Sequence, residues 1–183
     1  AMDVGLPEVM KTARAAGIRS PLSPVPSMAL GSFEVTPVEL AYAYATIASD
    51  GIRFDPFPLF SAMTADGEIL TAGKVRWKRT LDPRAAYLTG YAMEGVLDRG
   101  TAKTSREMGI YFPASGKTGT TDGNRDSWFV GFTPDVVCAV WVGYDSGADT
   151  GLPGAKGALP IWARFVRALY PNAGPVTLRP PEG

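Results

Sequence analysis

One short segment, residues 115–121, concentrates the residue types that could bind or transfer a charged group. It reads Ser-Gly-Lys-Thr-Gly-Thr-Thr and lies directly before two runs of β-branched and aromatic residues. Gly-Lys-Thr also ends the phosphate-binding loop pattern, which requires another glycine five places before the one at position 116. Tyr111 stands at that place. The spacing therefore argues against a phosphate loop, and with it against a nucleotide-binding protein.

As a strand, the same segment has the chemistry to bind a carboxylate. Thr118 and Thr120 are two residues apart, so their hydroxyls point to one face and can both donate to the same group. Lys117 adds a fixed positive charge, and Gly119 leaves room for a substrate to lie close to the backbone. The N–H of Thr120 is the expected arm of an oxyanion hole. For the tripeptide taken alone, a structural strand that happens to carry a lysine is the alternative.

The composition excludes several other kinds of chemistry. The 183 residues contain no histidine and one cysteine, Cys138. We therefore expect no Ser-His-Asp or Cys-His catalysis, no metal site, no cofactor and no internal disulfide. Lys and Arg total 18, as do Asp and Glu, so the formal net charge is zero. This balance predicts that the chain binds no nucleic acid and makes no membrane contact.

Four helices are predicted from their end signals and apolar spacing. They cover residues 6–16, 37–50, 83–99 and 160–169. Thr36 and Glu39 form a capping box at the start of the second helix, and the low charge of residues 38–48 predicts that this helix is buried. The last helix is expected to place four apolar side chains on one face, namely Trp162, Phe165, Val166 and Leu169.

Two hairpins complete the predicted elements. Residues 59–63 and 68–71 flank a turn, and residues 127–132 and 136–144 flank a second one. The segment at 115–121 is expected to be an edge strand beside the second hairpin. The pattern predicts an α+β fold with helices packed on an antiparallel sheet. One domain is expected over residues 1–171, followed by a Pro/Gly-rich tail at 172–183.

Taken together, several stretches make the sequence similar to a known family. They read, in chain order, SMALGS (27–32), VTPVELAYA (35–43), RGTA (99–102), GKTGTT (116–121), RDSWFVGFTPD (125–135) and WVGYD (141–145). In content and order they resemble the transpeptidase domain of class A (bifunctional) penicillin-binding proteins. The resemblance covers roughly residues 4–170, and it implies part of a penicillin-binding or serine β-lactamase-like fold.

The resemblance implies an acyl-enzyme mechanism on the D-Ala-D-Ala end of peptidoglycan stem peptides, with β-lactams as mimics that trap the intact domain. By motif match, Lys117, Thr118, Gly119 and Thr120 are the substrate-binding residues, and Lys117 and the Thr120 N–H are the catalytic ones. The family also implies a periplasmic location, a parent protein anchored in the cytoplasmic membrane, and a glycosyltransferase domain upstream.

The sequence departs from the family at the nucleophile. The family requires S-x-x-K, which holds the attacking serine, and S-x-N, which helps the proton relay. None of the ten serines has lysine three places later or asparagine two places later. Both motifs lie upstream of the matched region in the family, and the Ala1-Met2 start also suggests that the natural protein continues upstream. We therefore expect the N-terminal portion of the fold to be missing and this chain alone not to be an enzyme.

Two further expectations depend on that missing portion. A sheet without its first strands exposes an edge, which predicts self-association of this chain. The alternative to the enzyme is a non-catalytic module that binds peptidoglycan or serves as a scaffold for cell-wall partners. The two are distinguished by whether S-x-x-K and S-x-N occur upstream in the parent protein.

Overall fold

The structure is a computed structural model that describes residues 3–56 and 59–171. The predicted tail at 172–183 lies outside the described residues. The helices are α1 (Leu6–Ala16), α2 (Pro37–Ala48), α3 (Pro83–Asp98), α4 (Thr104–Glu107) and α5 (Ala158–Leu169). The strands are β1 (Ile52–Phe54), β2 (Ser61–Met63), β3 (Ile69–Ala72), β4 (Trp77–Arg79), β5 (Ser115–Thr120), β6 (Asp126–Phe132) and β7 (Val137–Gly143). Short 3₁₀ turns occur at Pro26–Leu30 and Asp122–Asn124.

The main sheet is antiparallel and has the strand order β5-β6-β7. Its register pairs Lys117 with Val130 and Thr118 with Phe129. Two smaller antiparallel pairs, β1 with β4 and β2 with β3, lie earlier in the chain. The predicted α+β class, the two hairpins and the edge position of residues 115–120 are thus confirmed within the described part of the chain.

Helices cover both faces of the main sheet. On β6, Phe129 packs against Trp162 of α5, with ring centroids 4.8 Å apart. Phe132 lies against Gly90 of α3. These two phenylalanines are three residues apart on one strand, so they point to opposite faces. The sheet is therefore sandwiched between α5 on one side and α3 on the other, and α2 also contacts β6 and β7.

The larger core lies between the main sheet and α5. It contains fully buried side chains from the sheet, from α5, from the end of α3 and from the segment that follows α3, among them Leu97, Ile110, Phe129, Trp162 and Val166. Two of the four apolar residues predicted to lie on one face of α5 are outside this core, because Phe165 and Leu169 are each 46% exposed. Leu159 and Ala163 take their places on the buried face.

A second, smaller core joins α1 to α2, and it centres on Ala16, Ile18 and Ala43. The prediction that α2 is buried is wrong in degree, since only Ala43 and Thr46 of this helix are buried. Val38, in its first turn, is 61% exposed. Low charge alone therefore did not indicate how deeply this helix sits.

The Glu39 carboxylate ties the end of α1 to the start of α2. The predicted capping box with Thr36 is present. The same carboxylate also accepts hydrogen bonds from Arg19 N (2.7 Å), Ser20 N (2.7 Å) and Ser20 Oγ (2.6 Å). Desolvation raises the pKa of Glu39, but hydrogen bonds from Ser20, Thr36 and Arg19 outweigh it and lower the pKa from 4.5 to about 2.

Glu39→Gln is expected to destabilise the chain at neutral pH and to flatten its acid sensitivity. A carboxyl with a lowered folded-state pKa stabilises the fold above its unfolded value, near 4.5, and loses that contribution as pH falls toward 2. We expect a drop in melting temperature of roughly 5 °C at pH 7. The loss of charge-assisted hydrogen bonds at a fully buried site would cost more, but solvent weakens these bonds at the partly exposed Glu39. Thermal unfolding followed by circular dichroism between pH 2 and 7 measures both effects.

Glu8→Gln is the matched control, because Glu8 is an exposed glutamate whose side chain pairs only with Lys11 among the described residues. Its variant should keep the wild-type melting temperature to within a degree or two. Equal melting temperatures for Glu39→Gln and wild type at pH 7 would contradict the assigned role.

None of the helices within residues 3–56 and 59–171 is long and apolar enough to cross a bilayer.

Candidate functional site

The strand β5 runs from a buried start to an exposed end. Ser115 and Gly116 are buried, Thr118 and Gly119 are half-buried, and Lys117 and Thr120 are exposed. Among the described strands, β5 pairs only with β6, so its other edge carries no strand. This arrangement presents the polar half of the segment at the surface while its first residues fix it to the core.

Two contacts hold the buried start of β5. Ser115 Oγ donates to the carbonyl oxygen of Gly90 in α3 at 2.8 Å. Gly116 lies directly against the core, since a Cβ there would stand 2.6 Å from Phe129 Cζ and 2.9 Å from the carbonyl oxygen of Val130. Only glycine therefore lets β5 lie this close to β6. Ser115, the serine nearest to Lys117 in sequence, is buried and hydrogen-bonded, so it is not placed to act as a nucleophile.

Lys117 carries an ammonium group whose described hydrogen bond is to the backbone. Its Nζ donates to the carbonyl oxygen of Thr118 at 3.0 Å. The ion pairs of the described residues are Lys11–Glu8, Arg84–Asp82 and Arg106–Asp98, and none includes Lys117. An ammonium has three N–H donors, and the one described hydrogen bond uses a single donor. The exposed ammonium of Lys117 is therefore available to an anionic ligand.

The two threonine hydroxyls of β5 each have a partner from a different loop. Thr118 Oγ1 lies 2.6 Å from Thr101 Oγ1, in the loop between α3 and α4. Thr120 Oγ1 accepts a hydrogen bond from Gly154 N at 2.9 Å. Thr118 and Thr120 are recognisable from the sequence, whereas their two partners were not predicted. Thr101 stands in the matched stretch at 99–102, which was the available signal, whereas nothing local marks Gly154.

The loop that carries Gly154 lies directly on the backbone of the main sheet. A Cβ on Gly154 would stand 2.6 Å from the carbonyl oxygens of both Gly119 and Trp128. Gly119 in turn faces Trp128, whose Cβ would be 3.0 Å from a Cβ at position 119. The absence of a side chain at Gly119 therefore serves packing across the strand pair. Its predicted role toward a substrate stays a prediction.

The turn that follows β5 is fixed by Asp126. Its Oδ2 accepts from Thr121 Oγ1 at 3.0 Å and its Oδ1 accepts from Trp141 Nε1 at 2.8 Å. Trp141 also packs against Trp128, with ring centroids 6.2 Å apart. This network joins all three strands at the end of the sheet where Thr120 is exposed.

The described residues contain no cluster of three or more His, Cys, Asp or Glu side chains arranged to hold a metal ion. The chemistry of the side chains along β5 is instead suited to holding an anion. Within the described residues it combines an ammonium that forms no ion pair, two hydroxyls on alternate positions of one strand, and a strand edge to which no other strand is paired. The assignment of Lys117, Thr118, Gly119 and Thr120 as substrate-binding residues, and of Lys117 and the Thr120 N–H as catalytic groups, remains a prediction.

Comparison with known proteins gives consistent matches. The family model of the penicillin binding protein transpeptidase domain matches residues 7–165. Penicillin-binding protein 1B of Escherichia coli (strain K12) is 40% identical over 185 residues, covering 99% of this chain and 21% of the relative. The chain thus spans about a fifth of the length of that relative.

Two solved structures share the fold. Penicillin-binding protein 1A from Haemophilus influenzae superposes with a TM-score of 0.81 at 22% identity, over 92% of this chain and 31% of that one. The PonA1 protein from Mycobacterium tuberculosis in complex with penicillin V superposes with a TM-score of 0.76 at 26% identity, over 95% of this chain and 52% of that one.

Proposed function

Because the chain belongs to the class A branch of the penicillin-binding protein transpeptidase family, we propose that it is the part of a peptidoglycan D,D-transpeptidase that holds the substrate carboxylate. The observation that carries this proposal is the exposed half of β5. It brings Lys117, which forms no ion pair among the described residues, and the hydroxyls of Thr118 and Thr120 to one exposed stretch of strand edge, to which an extended peptide can add.

Each residue of the strand has a role in this proposal. Lys117, Thr118 and Thr120 bind the terminal carboxylate of the stem peptide, two through hydroxyl donors and one through its charge. The N–H of Thr120 donates to the oxyanion that forms at the attacked carbonyl, where such donors contribute most. Gly119 keeps the strand flat against Trp128, so that the neighbouring side chains keep their alternate directions.

The reaction needs a nucleophilic serine in an S-x-x-K motif, and none of the serines in these 183 residues lies in such a motif. In the proposed sequence of steps, the serine oxygen bonds to the penultimate D-Ala carbonyl carbon, its proton passes to the leaving nitrogen, and free D-Ala departs. The nitrogen of an amine on a neighbouring stem then bonds to the ester carbonyl carbon, the carbon–oxygen bond to the serine breaks, and the amine proton passes to the serine oxygen. This step forms the cross-link and frees the serine. The nucleophile belongs to the parent protein, which we place in the periplasm, anchored in the cytoplasmic membrane and joined to a glycosyltransferase domain.

The same site is proposed to bind β-lactams, whose carboxylate stands in for that of the stem peptide. This proposal is supported by the similarity to a structure solved in complex with penicillin V. The test is intact-mass spectrometry after incubation with a penicillin, on this chain and on a protein extended upstream by the remainder of the domain. We expect only the extended protein to gain one drug mass.

The other outcomes decide between the alternatives. If neither protein gains mass, the non-catalytic peptidoglycan-binding or scaffold module takes the place of the enzyme, and the lysine strand is structural. If the 183-residue chain gains the drug mass without the upstream extension, one of its own serines is the nucleophile. The proposal that the nucleophile lies upstream of this chain is then wrong.

A further inference from the structure

Thr101 is an exposed threonine in the loop between α3 and α4, and its only described contact is with the candidate site. Its Oγ1 lies 2.6 Å from Thr118 Oγ1. A separation this short is that of a direct O–H···O hydrogen bond, in which either oxygen is able to donate. Thr101 is 17 positions away from Thr118 in sequence, so the contact depends on the fold and not on local geometry.

The loop is built to keep Thr101 in this place. Ala102 is fully buried, and its N–H donates to the carbonyl oxygen of Val96 at 3.0 Å. Gly100 lies so close to the end of α3 that a Cβ there would stand 2.7 Å from Val96 Cα and 2.9 Å from Val96 O. Both neighbours of Thr101 are thus fixed against the helix, which leaves its side chain to project over β5.

Either oxygen of this pair can be the donor, and the second threonine of the strand offers a comparison. Gly154 N can only donate, so Thr120 Oγ1 accepts this hydrogen bond. The O–H of Thr120 therefore stays available to donate to another group. If Thr101 donates to Thr118 Oγ1, the two hydroxyls of β5 are in the same state. Each then has an acceptor lone pair occupied by a loop and an O–H free to point at a ligand.

We propose that Thr101 is a positioning residue, which donates its hydroxyl proton to Thr118 Oγ1 and so directs the Thr118 O–H toward the substrate carboxylate. The proposal rests on the proposed function of β5. In the alternative direction, Thr118 would donate to Thr101, and its oxygen lone pairs would face an anion that they repel. A negatively charged ligand favours the first direction, because it accepts the proton that Thr118 then has free.

The test compares Thr101→Val with Thr101→Ser in the longer protein that carries this chain and its nucleophile. Valine has nearly the shape of threonine but no hydroxyl, whereas serine keeps the hydroxyl. We expect Thr101→Val to lower the second-order rate constant of acylation by benzylpenicillin roughly tenfold, on the order of one hydrogen bond to a charged group. Thr101→Ser should restore it to within about twofold of the wild type.

A nearby threonine provides the matched control. Thr104 Oγ1 is buried at the start of α4 and has no hydrogen-bond partner among the described residues. Thr104→Val makes the same chemical change three positions away without touching Thr118, and it should leave the acylation rate constant unchanged. An equal loss in Thr101→Val and Thr104→Val would mean that this loop tolerates no valine, and it would overturn the positioning role.

A second ligand tests the carboxylate itself. Benzylpenicillin methyl ester lacks the charge that Thr118 is proposed to bind, so wild type and Thr101→Val should acylate with it at similar rates. The inference is overturned if Thr101→Val retains the wild-type rate with the free acid, or if the loss is the same with the ester. Failure of the wild type itself to acylate with the free acid would instead overturn the proposed function.

Discussion

Replacing Lys117 by alanine in the full-length protein is expected to remove acylation by penicillin while leaving the fold intact. The ammonium is exposed and forms no ion pair among the described residues, so its loss removes no structural partner beyond one bond to the Thr118 carbonyl. Exposed substitutions of this kind change the free energy of unfolding by about 0.5 kcal/mol or less. The loss of a charge that the ligand carboxylate needs should lower the acylation rate at least about a hundredfold.

The rate is measured by intact mass against time at several penicillin concentrations, and folding is checked by thermal unfolding of the same sample. Lys78→Ala is the control, because Lys78 is an exposed lysine on β4, a strand outside the main sheet. It should acylate at the wild-type rate. An unchanged rate for Lys117→Ala would refute the assignment of β5 as the carboxylate-binding strand.

The elements that sequence predicted well are those whose signals are local. Asp82 illustrates this, since its carboxylate accepts from Arg84 N at 2.8 Å at the start of α3, as an N-cap residue should. Thr36 and Glu39 form the expected box at α2 for the same reason. Such interactions span two or three residues, so the sequence that contains them also shows them.

The elements that were missed depend on residues far apart in the chain. The pairing of β1 with β4 joins Ile52 to Arg79, and neither strand has more than three residues. An alternating pattern needs more than three residues to be recognised, and the β4 residues are all exposed. The candidate site shows the same limit. Lys117 and its strand were identified from their types and spacing, whereas the contact between Thr120 and Gly154 spans 34 residues.

The largest effect on stability is expected at Trp162. Its side chain is fully buried in α5, packs on Phe129, and lies over Gly131, where a Cβ would stand 2.9 Å from Trp162 Cζ2. Trp162→Ala leaves a large cavity on this face of the sheet, and it should lower the free energy of unfolding by about 3–5 kcal/mol. Urea denaturation followed by circular dichroism measures the difference.

Trp162→Phe separates the ring from its N–H. Trp162 Nε1 is buried and has no hydrogen-bond partner among the described residues, so phenylalanine loses part of the ring but removes an unsatisfied donor. It should therefore retain most of the stability that alanine loses, and equal losses in the two variants would contradict this account. Phe129 is also the cross-strand partner of Thr118. Trp162 packs against the ring of Phe129 and so helps to hold Phe129 in place. Trp162→Ala in the full-length protein should therefore slow acylation as well, and Trp162→Phe should leave the acylation rate near that of the wild type.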